Sequence, residues 1–506
     1  MPESSGSSAS AGTIRDLLLR QADSDHAALR WRQDGRVHEL SWRAYIAAAQ
    51  RLAASLEARL DPARPPHVGV LLPNGPAMAL HLAAAGLGGH VLVGLNNTRR
   101  GEALEADIRK ADCQIVITED SLAVEALTSD SAPEDREAPA LTPESLFMLI
   151  FTSGTSGNPK AVRITHDKIV YPGAYLTERL GLTSADVFYI SMPMFHSNSV
   201  MAGWAPALTL GSTFAVAPFS ASGFFPDIRD FGATFANYVG KPLAYVLATP
   251  AQPNDADNPL RLIFGNEAGA RDIEAFGTRF GCRVVDGFGS TENAVVVTRA
   301  PGCPPQALGR GLEGVAILNP ETHEPCPPAQ FDASGRVVNL DACTGELVNT
   351  LGTGQFAGYY NDPEATAERM RGGMYWSGDL AYADADGWIY YAGRTSDWLR
   401  VDGENLAAAP IEAILLRHPA ISQAAVYALP DPLVGDQVAV ALTLRADLTA
   451  DDFSTFLKAQ PDLSPKAWPS VVRILDELPK TATNKVLKRE LQAEGFPEQG
   501  TFWVGL

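Results

Sequence analysis

A loop of small residues between two apolar runs constrains the fold of this chain more than any other stretch. The loop reads Phe151-Thr-Ser-Gly-Thr-Ser-Gly-Asn-Pro-Lys160, and the run 146–151 that leads into it is typical of a buried strand. Its backbone N–H groups and hydroxyls are able to converge on phosphate oxygens, and Lys160 adds a positive charge. A surface linker is the alternative, but a second apolar run, 161–164, favours a loop held at both ends.

This loop differs from the GxxxxGK[ST] phosphate loop, because Ala161 follows the lysine and no hydroxyl is placed for Mg²⁺. Upstream, a short strand-like patch at residues 37–42 and apolar strand patterns at residues 67–72, 91–95 and 114–118 alternate with helical patterns. Strands that alternate with helices predict a parallel sheet covered by helices on both faces.

Residues 309–391 have a different sequence pattern. Short β-like runs, such as 335–339, 345–349 and 387–391, alternate there with Gly, Pro and Asp turns. This pattern predicts an antiparallel, barrel-like subdomain. The chain after residue 396 predicts a compact α+β domain of about 110 residues.

Length and composition set further limits. A chain of 506 residues, 46% of them hydrophobic, predicts two or more globular domains. The formal charge of −19 disfavours binding to nucleic acid or anionic membranes, so a site for a phosphate-bearing ligand must be a local basic pocket. Five scattered cysteines predict neither a disulfide framework nor a zinc site, which fits a reducing cytoplasm. Residues 1–10 predict a disordered tail rather than a signal peptide, and no run reaches membrane-spanning length.

Two turns rich in small residues follow predicted strands, at residues 262–269 and 286–293. Open α/β sheets bind nucleotides in the crevice at the carboxyl ends of their strands. Each turn alone is a weak signal. Together with the loop at 151–160, the two turns predict a nucleotide site.

These motifs, with Met374-Tyr-Trp-Ser-Gly-Asp-Leu380, the run 393–405 and Pro479-Lys-Thr-Ala-Thr-Asn-Lys485, resemble the adenylate-forming superfamily over residues 12–490. That superfamily comprises acyl-CoA synthetases, nonribosomal adenylation domains and luciferases. The chain is most similar to fatty-acyl-CoA ligases and fatty-acid transport proteins. The resemblance implies an α/β fold: a large N-terminal domain, residues 1–395, of doubly wound α/β subdomains and a β-barrel-like subdomain, and a small mobile α+β domain, residues 396–506.

The resemblance also implies which residues bind ATP. The phosphates contact the loop residues Thr152, Ser153, Gly154, Thr155, Ser156, Gly157 and Lys160. The adenine lies against two turns, formed by Asn266 and Glu267 and by Gly287, Phe288 and Gly289. Thr291 donates to the α-phosphate, and Glu292 holds Mg²⁺ through a hard carboxylate oxygen. Asp379 binds the ribose hydroxyls, with Arg394 as its partner.

Further implied roles concern the acid and the second half-reaction. Lys485 is the cation between the acid and the α-phosphate, although Asn484 stands where the family usually has glycine. Ser396 takes the hinge position, and Gly403 lines the pantetheine tunnel once the small domain has rotated. His196 orients the acid and gates its tunnel, whereas a lone histidine after a strand more often packs or faces solvent.

Lys241 departs from the fatty-acid transport branch, which has an acidic residue there. It either meets a second carboxylate or points to solvent, the commoner fate of a lysine. The resemblance implies an ATP-dependent acid–CoA ligase for a fatty acid, with ATP, Mg²⁺ and CoA as cofactors. Homodimers are common in such families, but the resemblance leaves the oligomeric state open. The alternatives are an adenylating enzyme for a small or aromatic acid with a non-CoA acceptor, and a non-enzymatic relative that binds nucleotide or lipid. Lys160, Glu292, Asp379 and Lys485 are all present, which argues against the non-enzymatic reading.

Overall fold

The computed structural model of the chain describes residues 12–118, 121–128, 139–152, 159–266, 268–333, 337–394, 398–401, 404–431, 435–460, 463–480, 486–495 and 501–503. The chain divides into two compact units. The first comprises Met1–Asn293 and Gln355–Glu368, and the second Ala294–Gly354 and Arg369–Leu506. The predicted domain boundary at residues 395 and 396 lies outside the described residues and stays a prediction.

The helices are α1 (Ile14–Leu19), α2 (Trp42–Glu57), α3 (Pro76–Gly88), α4 (Gly101–Lys110), α5 (Ser121–Thr128), α6 (Asp167–Leu180), α7 (Ala205–Leu210), α8 (Phe224–Phe231), α9 (Pro242–Leu247), α10 (Ala270–Phe280), α11 (Leu340–Cys343), α12 (Pro363–Arg369), α13 (Ala408–Leu415), α14 (Ala450–Lys458) and α15 (Lys488–Ala493). A π-helix spans Asn198–Trp204, and a 3₁₀ turn spans Pro465–Ala467.

The strands are β1 (Ala27–Gln33), β2 (Arg36–Ser41), β3 (His67–Val70), β4 (Val91–Gly94), β5 (Ile115–Ile117), β6 (Leu146–Thr152), β7 (Lys160–Thr165), β8 (Val187–Ile190), β9 (Thr213–Val216), β10 (Phe235–Val239), β11 (Leu262–Asn266), β12 (Arg283–Gly287), β13 (Val297–Thr298), β14 (Arg310–Gly311), β15 (Val315–Leu318), β16 (Gly345–Asn349), β17 (Met370–Arg371), β18 (Met374–Ala383), β19 (Ile389–Arg394), β20 (Trp398–Val401), β21 (Glu404–Ala407), β22 (Ile421–Asp431), β23 (Gly435–Leu444), β24 (Val471–Ile474) and β25 (Thr501–Trp503).

Two largely parallel sheets form the first unit. One has the order β12-β11-β10-β8-β9-β1-β2 and the other the order β5-β3-β4-β6-β7. Every residue of β3 and β4 is buried, which is why these strands are short apolar runs without alternation. The predicted α/β fold is thus confirmed, and the structure adds an antiparallel strand pair to the edge of each sheet, β1 with β2 and β6 with β7.

The β1–β2 hairpin corrects the sequence prediction in two details. Strand β1, which lies between β9 and the edge strand β2, was not predicted, because Arg30 and Arg32 interrupt its apolar residues. The predicted strand at 37–42 ends at Ser41, whose hydroxyl accepts a hydrogen bond from the backbone N–H of Ala44 at 3.2 Å. Ser41 is therefore the N-cap of α2, and Trp42 is the first helical residue.

Among the described residues, the second unit contains the antiparallel pair of β13 with β14 and two larger sheets. One is antiparallel, with the order β15-β16-β18-β17 and with β19 also paired to β18. The predicted antiparallel character of this region is confirmed. The predicted β-like run 335–339 is not: residues 337–339 form no strand, and Val337 makes only an isolated bridge with Phe331. The other sheet has the order β21-β20-β23-β24-β25, with β22 paired to β23.

Buried histidines in the first unit, among them His81, His90 and His166, predict sensitivity to acid. Burial lowers the pKa of His81 to about 4, of His90 to about 3 and of His166 to about 4. In the unfolded chain these histidines have a pKa of about 6.5. Below that pH the unfolded chain therefore holds more protons than the folded protein, and the free energy of unfolding decreases as the pH falls. We expect each of these histidines to lower the free energy of unfolding at pH 5 by about 2 kcal/mol.

Urea unfolding of the first unit at pH 7 and pH 5 measures this loss. His81→Leu is the informative variant, because neither ring nitrogen of His81 has a hydrogen-bond partner among the described residues. In His81→Leu, the free energies of unfolding at pH 7 and pH 5 should differ by less than in the wild type. Replacement of the exposed His38 by leucine should leave that difference unchanged. An unaltered difference in His81→Leu would mean that this histidine does not titrate as its burial requires.

Candidate functional site

The ends of the phosphate loop are fixed by pairing between β6 and β7. Thr152, the last residue of β6, lies opposite Lys160, the first residue of β7. The intervening loop residues Ser153, Gly154, Thr155, Ser156 and Gly157 lie outside the described residues. Lys160 itself is buried, with 6% of its surface exposed. The two predicted flanking segments are therefore neighbouring strands, which hold the loop at both ends.

The two predicted nucleotide turns meet because β11 and β12 are parallel neighbours. Their carboxyl ends place Asn266 opposite Gly287, and the Asn266 side chain donates to the Gly287 carbonyl at 2.8 Å. Phe288 follows half-buried, and a side chain at Gly289 would meet open space. Glu267 lies outside the described residues. The structure thus brings both predicted adenine-binding turns to one edge of the large sheet.

A network that the sequence did not reveal holds these turns in place. Asp286 accepts hydrogen bonds from the Tyr238 hydroxyl at 2.6 Å and from the backbone N–H of Ala268 at 3.1 Å. The amide of Asn198, in the π-helix, donates to the carbonyl of Tyr238 at 3.0 Å. π-Helical turns are rare and often occur at functional sites. Strand β10 and the π-helix therefore support the turn that follows β11.

Thr291 and the segment that carries His196 are in direct contact. The hydroxyls of Ser197 and Thr291 lie 2.9 Å apart. His196 follows β8 in a turn, where its backbone N–H donates to the carbonyl of Pro193, and its ring lies 4.5 Å from that of Phe195. Ser197 was not predicted from the sequence as a site residue. It links the predicted acid-orienting histidine to the predicted phosphate donor.

Glu292 is buried and held at both its carboxylate and its backbone. The Tyr359 hydroxyl donates to Glu292 Oε1 at 2.8 Å. The Lys168 ammonium donates to the carbonyls of Glu292 at 3.0 Å and Thr291 at 3.3 Å. Neither Tyr359 nor Lys168 was predicted as a site residue.

Lys168 is completely buried in the first turn of α6. Burial lowers its pKa to about 8, opposed by the negative charges of Glu292 and Asp167. Its ammonium donates to backbone carbonyls, which offsets part of the cost of burying the charge. Lys168 thus tethers the 291–292 turn to α6.

Lys160 has two neighbours on its side-chain ammonium. Its Nζ lies 3.3 Å from Glu368 Oε2 and 5.3 Å from the centroid of the Tyr359 ring. The Glu368 side chain is 71% exposed and remains solvated, whereas the Lys160 side chain is only 7% exposed. The Tyr359 ring is buried, and the lysine ammonium lies over its face.

The second unit contains the predicted ribose site. Asp379 in β18 lies opposite Arg394 at the end of β19, and Arg394 Nε is 3.3 Å from Asp379 Oδ1. Asp379 is buried, whereas the Arg394 side chain is 40% exposed. The structure therefore brings these two predicted partners together.

The remaining predicted site residues, Ser396, Gly403 and Lys485, lie outside the described residues, but the chain on either side of Lys485 is anchored. Val486 forms a bridge with Lys480, and the backbone N–H of Leu487 donates to the Pro479 carbonyl. Lys488 forms an ion pair with Glu412 of α13 at 2.8 Å. Lys241, whose role was left open, is half-buried immediately before α9.

Comparisons with known proteins show to which family the chain is related. The family description "AMP-binding enzyme" matches residues 19–360, and "AMP-binding enzyme C-terminal domain" matches residues 410–485. A medium/long-chain-fatty-acid–CoA ligase of Mycobacterium marinum is 52% identical over 481 residues, which cover 92% of this chain and 93% of the relative. A steroid-22-oyl-CoA synthetase of Rhodococcus jostii is 42% identical, covering 97% of this chain and 93% of the relative.

A solved structure shows the same fold. ATP-bound MatB from Rhodopseudomonas palustris matches with a TM-score of 0.81 at 21% identity, covering 96% of this chain and 99% of that chain. The likeness at this identity concerns the fold alone. No helix among the described residues is long and apolar enough to cross a membrane.

Proposed function

Because the chain belongs to the AMP-binding enzyme family, we propose that it is an ATP-dependent acid–CoA ligase, which forms an acyl-adenylate and then a CoA thioester. The observation that carries this proposal is the meeting of Lys160 and Glu292 on one buried tyrosine, Tyr359. Adenylation needs a cation and a metal-binding carboxylate near the same phosphates. Lys160 supplies the cation, and Glu292 supplies the carboxylate.

The acid is a medium- or long-chain fatty acid. The relative from M. marinum, which supports this choice, is named for that substrate class and shares 52% identity with this chain. A steroid side-chain carboxylic acid is the second candidate, because the R. jostii relative named for it matches 97% of this chain at 42% identity. Both acids carry the reacting carboxylate on a large and mainly apolar body.

Glu292 has the chemistry of a Mg²⁺ ligand. Its buried carboxylate offers hard oxygen donors, and the Tyr359 hydroxyl occupies only one of the two oxygens. When bound, Mg²⁺ spreads the negative charge of the phosphates. The loop of Thr152, Ser153, Gly154, Thr155, Ser156, Gly157 and Lys160 binds the departing pyrophosphate, and Thr291 donates to the α-phosphate.

The remaining roles concern the nucleoside, the acid and CoA. Asn266, Glu267, Gly287, Phe288 and Gly289 bind the adenine, and Asp379 with Arg394 binds the ribose. His196 orients the carboxylate, which attacks the α-phosphorus in line while Lys485 stabilises the developing charge. The CoA thiol then attacks the acyl-adenylate, with Ser396 as the hinge and Gly403 along the pantetheine path. The second step depends mostly on positioning, because a mixed anhydride is already a good acyl donor.

Asp379→Asn should raise the KM for ATP by about 10-fold with a smaller change in kcat, because one neutral amide replaces a charge-assisted acceptor of the ribose hydroxyls. The substrate to compare with ATP is 2′-deoxy-ATP, which lacks one of these two ribose hydroxyls. The wild-type protein should prefer ATP over 2′-deoxy-ATP, and the variant should lose most of that preference. Steady-state kinetics with both nucleotides measure this, and an unchanged preference in Asp379→Asn would remove Asp379 from the ribose site.

Pyrophosphate release, with and without CoA, tests the proposed function. The acids to compare are fatty acids of increasing chain length, a steroid side-chain acid, an aromatic acid and a small acid. We expect release with fatty acids and formation of acyl-CoA when CoA is present. Release with only a small or aromatic acid, or complete turnover without CoA, would instead support an adenylating enzyme with another acceptor. An inert wild-type protein would support a non-enzymatic relative.

The protein is further proposed to act in the cytoplasm as a homodimer, without nucleic acid and without stable membrane insertion. The scattered cysteines support the cytoplasm, and the charge of −19 supports the absence of nucleic acid, whereas the homodimer rests on the family resemblance alone. Sedimentation of the purified full chain measures the assembly, and a mass of one 53.9 kDa chain at all concentrations would overturn the dimer.

A further inference from the structure

Tyr359 touches both charged groups that the proposed function places at the phosphates. Its hydroxyl donates to Glu292 Oε1 at 2.8 Å, and its ring lies 5.3 Å from Lys160 Nζ. Only 5% of Tyr359 is exposed. A buried ring beneath a cation is favourable, and a buried hydroxyl that donates to a carboxylate is one of the stronger hydrogen bonds. One side chain thus fixes a distance between the lysine and the carboxylate.

The backbone of Tyr359 is itself fixed relative to Lys160. Tyr359 bridges Val162 of β7 in antiparallel register, and the backbone N–H of Tyr360 donates to the Ala161 carbonyl at 2.8 Å. The backbone N–H of Tyr359 donates to the Thr366 hydroxyl at 3.0 Å. The segment is therefore attached to the strand that begins with Lys160, so the tyrosine cannot move independently of the lysine.

Glu292 has a separate backbone tether, which isolates the contribution of Tyr359. Lys168 holds the carbonyls of Thr291 and Glu292, so the main chain of this turn is fixed without the tyrosine. What remains to be set is the direction of the carboxylate. The Tyr359 hydroxyl restrains it through the hydrogen bond to Oε1, and the second carboxylate oxygen is left to accept a cation.

The ion pair between Lys160 and Glu368 does not compete with this arrangement. Its carboxylate partner is largely exposed, and an exposed carboxylate is readily exchanged for a phosphate oxygen. The contact of Lys160 with Tyr359 is buried and does not need to break when phosphate arrives.

We propose that Tyr359 is a positioning residue that couples Lys160 to Glu292, so that the lysine and the metal-binding carboxylate meet the phosphates and their Mg²⁺ in one fixed geometry. This inference rests on the proposed function. It predicts that loss of the hydroxyl weakens the contribution of Mg²⁺ to nucleotide binding. It also predicts that ATP binding without Mg²⁺ is unchanged, because the ring remains beneath Lys160.

Tyr359→Phe tests the inference, and the neighbouring tyrosine provides a matched control. The Tyr360 hydroxyl donates to Asp112 Oδ2 at 2.9 Å, so Tyr360→Phe removes an equivalent tyrosine–carboxylate bond elsewhere. The affinity of the full chain for ATP is measured by calorimetry without any acid substrate, once with excess Mg²⁺ and once with a chelator. The gain in affinity due to Mg²⁺ should fall about 10-fold in Tyr359→Phe and stay at the wild-type value in Tyr360→Phe.

A second variant keeps the test independent of folding. In a Glu292→Gln background, Tyr359→Phe should cause no further loss of the Mg²⁺-dependent gain, since the group that it orients is gone. A full wild-type gain in Tyr359→Phe, an equal loss in Tyr360→Phe, or an additive loss in the double variant would each overturn the inference. Pyrophosphate release by the wild-type protein is scored separately: an active wild type with an unaffected Tyr359→Phe overturns only the coupling, and an inactive wild type overturns the proposed function.

Discussion

Lys485→Ala should slow acyl-adenylate formation by about 10²- to 10³-fold, because it removes the cation that stabilises charge on the α-phosphate and on the attacking carboxylate. The second half-reaction should change little. The acyl-adenylate is already activated, so thioester formation from it does not need this lysine. The expected result is therefore a split between the two steps rather than a general loss of activity.

The two half-reactions are measured separately. Adenylation is followed by pyrophosphate exchange, and thioester formation by supplying synthetic acyl-adenylate with CoA. Lys458→Ala is the matched control, because Lys458 is an exposed lysine on α14 of the same unit. Equal losses in both half-reactions of Lys485→Ala would contradict the assignment of this lysine to the first step.

Glu292→Gln should lower the rate of adenylation by roughly 100-fold, which corresponds to a loss of about 3 kcal/mol of charge stabilisation. The amide keeps the shape of the side chain and can still meet the Tyr359 hydroxyl, so the fold should tolerate the change. What is lost is the negative charge that binds the metal ion. Raising the Mg²⁺ concentration should therefore recover part of the rate.

Initial rates over a range of Mg²⁺ concentrations measure this effect. Glu274→Gln, at an exposed position on α10 in the same unit, is the control and should keep the wild-type Mg²⁺ dependence. A Glu292→Gln rate that is low but equally sensitive to Mg²⁺ would indicate that the carboxylate has a role other than metal binding.

The features that the sequence predicted well are encoded locally. The two apolar segments that flank the predicted phosphate loop form β6 and β7, and both strand ends at Asn266 and Gly287 carry glycine-rich turns. Parallel neighbours in an α/β sheet necessarily bring such ends together, so the meeting of the two turns followed from the strand–helix alternation. The pairing of Asp379 with Arg394 came from the family resemblance.

The supporting contacts were not predictable, because they join residues far apart in the chain. Lys168 and Glu292 are separated by 124 positions, and Tyr359 and Glu292 by 67. A lysine in the first turn of a helix normally faces solvent, and nothing in its sequence neighbours shows that this one is buried. The aromatic pair after Gly358 was the available signal for Tyr359, but a pair of tyrosines is equally typical of an ordinary core.

The central claim is that a carboxylate oxygen attacks the α-phosphorus of ATP, and transfer of ¹⁸O tests it most directly. A fatty acid labelled with ¹⁸O in both carboxyl oxygens is incubated with ATP, Mg²⁺ and CoA, and the products are weighed by mass spectrometry. The account predicts one ¹⁸O in AMP and one in the acyl-CoA, with unlabelled pyrophosphate. Unlabelled AMP, or label in inorganic phosphate together with ADP, would contradict the adenylate mechanism.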